Sequence, residues 1–188
     1  MRVFIITAAG ALLSACTMAV SGAETRAGPR CAAEATSTWT ATNSAAYTLE
    51  AFSAGPDCAH AVATIVIRDA ESNVLWADAH VTEHTFGLNE ASSAAEMRAA
   101  LSEWISPYGN TTILSTSALP AWPRTADGPQ SGEFPFYPEA EWNDREGYET
   151  LRARNAPVFC YVQGMESLAC LALLDGGLYK VGVQSFPG

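Results

Sequence analysis

The segment His80-Val81-Thr82-Glu83-His84 sets two imidazoles four residues apart with a carboxylate between them. On a helix that H-x-x-E-H spacing holds a zinc ion and supplies a base for hydrolysis. Its surroundings argue against that use. The segment continues a strand-like run from Val74, and strand residues four apart lie about 13 Å from each other, too far to share one zinc ion. His80 and His84 are therefore expected on the polar face of a strand, where either could at most join a nearby carboxylate in a weak zinc site. A second acidic set, Glu139, Glu141, Asp144, Glu146 and Glu149, offers the oxygens that calcium prefers. Arg145 sits among these acids and no EF-hand alternation occurs, so a solvated helix start is the expected reading. There is no G-x-S-x-G and no phosphate-cradling glycine loop with lysine, so no catalytic residue and no cofactor is assigned.

The His80 to His84 spacing also resembles the inverted zinc-protease signature. In that family the fold is far larger and a third, acidic ligand comes from a second helix downstream. Glu146 and Glu149 are the residues available for it here.

Aromatic residues make the other constellation. Between Leu119 and Trp142 the chain carries Pro120, Pro123, Pro129, Pro135 and Pro138 together with Trp122, Phe134, Phe136, Tyr137 and Trp142. Long irregular segments in compact domains tend to be binding loops, lids or disordered, and this aromatic content argues against plain disorder. The five aromatics are candidate binding residues, since interfaces favour such anchors. The alternative is that they fold back over a sheet and staple the loop. Trp39, Trp76 and Trp104 lie in regular apolar elements and are expected in the core.

The first 15 residues read as a leader. Arg2 supplies a positive start, Val3 to Leu13 is an apolar run too short to span a bilayer, and small residues follow. The run Leu13-Ser14-Ala15-Cys16 resembles the lipobox of bacterial lipoproteins, in which the cysteine becomes the lipidated first residue of the mature chain. The resemblance covers the leader alone. It implies a palmitate-type acyl anchor on Cys16, a membrane contact through that lipid, and a place in the cell envelope facing the periplasm. Thr17 stands where many inner-membrane members carry Asp, which points to the outer membrane. The alternative is an ordinary signal peptide cut after Ala23, giving a soluble periplasmic protein.

Cysteine counting favours lipidation. Of the 5 cysteines, Cys16 on lipid leaves Cys31, Cys58, Cys160 and Cys170, an even set for an oxidising compartment. Registering the hairpin around Gly164-Met165-Glu166 puts Cys160 opposite Cys170, which leaves Cys31 for Cys58.

The elements that must hold these residues follow from local patterns. Residues 16–34 are small and polar and read as a flexible spacer, and 35–188 as one domain. Trp39 to Thr42 and Ala46 to Ser53 read as strands. Val62 to Ile67 and Val74 to Ala77 flank the turn Asp69-Ala70-Glu71-Ser72-Asn73 as a hairpin. Ser93 and Glu96 cap a helix with Ala94, Met97, Leu101, Trp104 and Ile105 at helical spacing, ended by Ser106-Pro107. Thr111 to Ser115 reads as a further strand. A second helix, capped by Asn143 with Glu146, closes at Pro157. Val158 to Gln163, Leu168 to Asp175 and Leu178 to Phe186 form a C-terminal three-stranded meander, with Gly176-Gly177 at its second turn. The fold class is α+β, an antiparallel sheet with the two helices packed on one face.

Charge removes one class of function. The chain carries 20 Asp and Glu against 10 Lys and Arg, a formal net charge of −10, and has no basic run, so nucleic acid is excluded as a partner. What remains is a lipid-anchored envelope protein, read as a non-catalytic binding or inhibitory module with an envelope protein or polysaccharide as partner. A small metal-dependent envelope enzyme and a structural envelope lipoprotein are the alternatives.

Overall fold

A computed structural model describes residues 30–41, 45–107, 113–129 and 132–186. Cys16, the leader and most of the stretch expected as spacer lie outside these residues. The strands divide between two antiparallel sheets of four. The first contains β1 (Ala33–Thr40), β2 (Ala46–Ala54), β3 (Val62–Arg68) and β4 (Val74–Val81) in chain order. The second contains β5 (Phe136–Pro138), β6 (Val158–Val162), β7 (Ser167–Leu174) and β8 (Gly177–Ser185) in the order β5-β8-β7-β6. The class is α+β, and β6 to β8 form the expected meander.

β1 begins at Ala33, before the expected end of the spacer, because Cys31 is buried and bonded to Cys58 with a Cα separation of 5.0 Å. Along β3, Ala63, Ile65 and Ile67 are fully buried while the residues between them are not. That period of two marks a sheet with one covered face. The turn from β3 to β4 is the expected one. Asp69 accepts from the Asn73 backbone N–H at 2.8 Å, and Ser72 adopts φ 68°.

β6 is buried at every position, so both faces of the second sheet are covered there. Cys160 pairs with Cys170 across β6 and β7, Cα to Cα 4.1 Å, and the two are disulfide-bonded. The turn from β7 to β8 is Asp175-Gly176, one residue earlier than Gly176-Gly177. Asp175 has φ 51° and Gly176 φ 85°, the two successive positive values of a type I′ turn.

Helix α1 (Ala94–Trp104) packs on β1 and β2, burying Met97, Leu101 and Trp104. Ser93 Oγ accepts from the Glu96 N–H at 3.3 Å, and Glu96 reaches back to the Ser92 N–H at 2.8 Å. Helix α2 (Arg145–Ala153) is capped by Asp144, which accepts from Gly147 N–H at 2.9 Å, rather than by Asn143. It packs against the 3-10 turns Thr116–Ala118 and Ala140–Trp142, so the two helices do not share one face of one sheet. Of the expected strand from Thr111 to Ser115, the described end makes only an isolated bridge, Ser115 to Pro157. Among the described residues no helix is long and apolar enough to cross a membrane.

The sheets meet through aromatic side chains. Trp39 of β1 lies 5.6 Å from Phe159 of β6, ring centre to ring centre, and Tyr161 of β6 faces β4.

Candidate functional site

Register decides where the histidines go. Ala63, Ile65 and Ile67 of β3 pair with His80, Asp78 and Trp76 of β4, so all three β4 side chains point inward with the core residues opposite them. His80 is therefore not on a solvent face. Its ring stands edge-on to Trp104 at 5.9 Å and to Tyr161 at 5.8 Å. β4 ends at Val81, and Thr82–His84 forms a 3-10 turn that leaves His84 exposed, so the two histidines part. Among the described residues no three His, Cys, Asp or Glu side chains gather as a metal set.

The inward β4 residues meet Tyr161 instead. Its hydroxyl donates to Asp78 Oδ2 at 2.6 Å and accepts from Trp76 Nε1–H at 3.2 Å. Burial first, and then the bond to the Asp78 carboxylate, push the phenol far above its ordinary range, so it remains a donor. His80 Nε2 lies 3.1 Å from the same carboxylate oxygen, within ion-pair distance but out of line for a hydrogen bond. The cluster joins the sheets.

Trp104 has the cluster behind it and a cleft in front. Its Nε1–H donates to the Val162 carbonyl at 2.7 Å, fixing the indole between α1 and β6. The cleft, about 260 Å³, is walled by Phe86, Leu88, Ala100, Trp104 and Val162, with Gly87, Glu90 and Glu103 completing its lining. Local structure explains how Phe86 comes to stand there. Buried Thr82 pins the 3-10 turn, its N–H donating to Ala61 O at 3.0 Å and its hydroxyl meeting the same carbonyl. The Phe86 N–H then ties to Gly164 O at 3.3 Å, and Gly87 takes φ 80°, a left-handed value that glycine adopts without cost. The chain reverses so that Leu88 is buried and Phe86 stays 48% exposed.

Phe86 also meets Phe186 edge-on at 5.8 Å. Ser185 N–H donates to Pro135 O at 2.9 Å, and this antiparallel register, continued by one residue, sets Phe134 opposite Phe186 along the backbone. Phe134 is 41% exposed and Met165, in the neighbouring turn, 42%. The cleft thus opens beside a run of uncovered apolar side chains, the surface type that marks interaction sites.

The aromatic segment from Leu119 to Trp142 divides. Trp122 is buried against Tyr148 at 5.6 Å, its N–H accepted by Glu149 at 2.9 Å and its indole N–H by Ala126 O at 2.8 Å. The Trp122 N–H first, then Arg152, hold the Glu149 carboxyl below its usual range. Phe136 is buried over Gly182 and beside Tyr148. Trp142 is half-buried against the core, its indole N–H without a hydrogen-bond partner among the described residues. These three staple the segment to the domain. Only Phe134 and Tyr137, the latter 59% exposed, face solvent.

The acidic set is used structurally as well. Asp144 caps α2, Glu149 pairs with Arg152 at 2.7 Å, and Glu139 pairs with Lys180 at 3.0 Å. Sequence reasoning placed Trp104 in the core, where it is buried, but gave no sign of the cleft. Phe86 was the available signal, an aromatic residue in a run from Thr82 to Asn89 whose other large apolar residue is Leu88.

No family model, no curated protein and no solved structure matches the chain.

Proposed function

We propose that this chain is a lipid-anchored protein of the bacterial cell envelope, held by Cys16 and facing the periplasm from the outer membrane. Its folded domain serves as a non-catalytic binding module. The lipobox-like run Leu13-Ser14-Ala15-Cys16 supports the anchor, and the two disulfides suit an oxidising compartment. The observation that carries the binding reading is the cleft between Phe86 and Trp104, open beside uncovered Phe86 and Phe134. A concave site that sets apolar walls beside a few polar groups is the usual form of a binding site. Of the aromatic segment, Phe134 is the residue that borders this surface. Trp122 and Phe136 support it from inside.

A photo-crosslinking residue in place of Phe86, compared with one in place of exposed Val74, tests the binding surface in intact cells. A discrete adduct from position 86 and none from position 74 is expected. The same adducts from both positions, or none from position 86, would remove the cleft as the binding surface. The anchor is tested separately by intact mass and fractionation of the wild type and Cys16→Ala. A mature chain without acyl groups, or one beginning at Glu24, would replace it with a soluble secreted protein.

A further inference from the structure

We infer that the cleft between Phe86 and Trp104 receives an arginine side chain of a basic, partly apolar segment of a partner protein. The inference rests on the binding-module reading and specifies what the module binds. Charge is the first ground. The polar side chains lining the cleft, Glu90 and Glu103, are both carboxylates, and neither is in an ion pair among the described residues. The chain around them carries a formal charge of −10, so the field favours a cation.

Size and shape narrow the choice. About 260 Å³ is below the usual span for a drug-sized ligand, and it suits one long side chain. The ring of Phe86, 48% exposed, gives a flat apolar wall, and Trp104, 4% exposed, closes the base of the cleft. A guanidinium stacks on such a wall and forks its N–H donors to carboxylates, whereas an ammonium is a compact, strongly hydrated charge. Trp104 is held by its bond to Val162 O, so the base of the cleft is fixed without reorganisation. Uncovered Phe86, Phe134 and Met165 beside the opening supply an apolar rim for the residues flanking the arginine.

The test uses the full mature chain in an uncharged detergent and two labelled peptides with the sequence Ac-Leu-X-Leu-amide. In one, X is arginine; in the other it is citrulline, which keeps the shape and loses the charge. The arginine peptide is expected to bind and to shift the Trp104 indole N–H resonance. The citrulline peptide should bind about tenfold more weakly or worse, the scale of one lost charge-assisted contact. The rim variant Glu90→Gln/Glu103→Gln should weaken the arginine peptide by a similar factor and remove most of its salt dependence. Equal affinity for the two peptides, an unmoved Trp104 resonance, or an unaffected rim variant would each overturn the inference. If the rim variant still gives the position-86 crosslink in cells, the cation preference is wrong and the binding surface stands. Loss of the crosslink from the wild type removes both.

Discussion

Tyr161 donates its hydroxyl proton to Asp78 Oδ2 across 2.6 Å, joining β6 of one sheet to β4 of the other between residues 83 apart in the chain. Asp78 points inward opposite Ile65, and its carboxylate is satisfied there by a phenol from the facing sheet. The same hydroxyl accepts from Trp76, so one oxygen fixes two β4 side chains. Trp104 stands edge-on to Tyr161 at 6.0 Å, which links this junction to the back wall of the cleft.

Tyr161→Phe keeps the ring and removes that oxygen. Asp78 and the Trp76 N–H both lose a partner in a part-buried place, and a stability loss of about 1–3 kcal/mol is expected. Urea unfolding of the variant checks it. A loss below a few tenths would mean the junction is not a bonded one, and a double-mutant cycle with Asp78→Ala reads the coupling directly.

The stapled aromatic segment separates packing from surface. Trp122→Ala leaves a large buried void and takes the indole N–H away from the Ala126 carbonyl, while the backbone N–H to Glu149 stays, so a loss of about 3–5 kcal/mol is expected. Tyr137→Ala, on the exposed edge strand β5, should stay within about 0.5 kcal/mol. Thermal melts of the pair decide between them. Similar shifts for both would contradict the burial difference.

Glu149 gives the stability a defined acid dependence. Its carboxyl is held below the ordinary value by the Trp122 N–H and Arg152, so the folded state favours the charged form. That contribution is present above the unfolded value, about pH 4.3, and is lost as pH falls through the lower folded value. The stability gap between the wild type and Glu149→Gln should therefore be full at neutral pH and close on acidification. A gap constant from pH 7 to pH 3 would show that the hydrogen bond, rather than the charge, is what matters.

Gly182→Ala tests the seating of β5. A Cβ there would come within 2.4 Å of the Phe136 ring and 2.6 Å of the Tyr137 carbonyl, and the carbonyl belongs to the paired strand. Overpacking of about 1–3 kcal/mol is expected, with faster hydrogen exchange at the β5 amides. An unchanged exchange pattern would mean that β5 is free to shift.

The sequence by itself determined what is local. The Asp69 to Asn73 turn, the Ser93 cap and the cysteine register across Gly164-Met165-Glu166 all depend on residues within a few positions of each other. Their chemistry allows few alternatives, so each was legible, as were the two helices and the strands other than β5, which lies in the segment read as a loop. Small misreadings at Asn143 and Gly176-Gly177 came from equivalent residues standing side by side, where one position of shift costs little in pattern. The orientation of whole faces was a different matter. A period of two places His80, Asp78 and Trp76 on one side of β4, but only a second sheet bringing Tyr161 opposite makes that side the inner one. The same holds for the proline-rich segment: composition marked five aromatics, and packing against Tyr148 and Gly182 took Trp122 and Phe136 inside while Phe134 and Tyr137 stayed out. The cleft has parts from the turn after β4, from α1 and from β6, elements up to 76 positions apart from Phe86 to Val162. No local rule relates such residues; burial of apolar surface between the two sheets does.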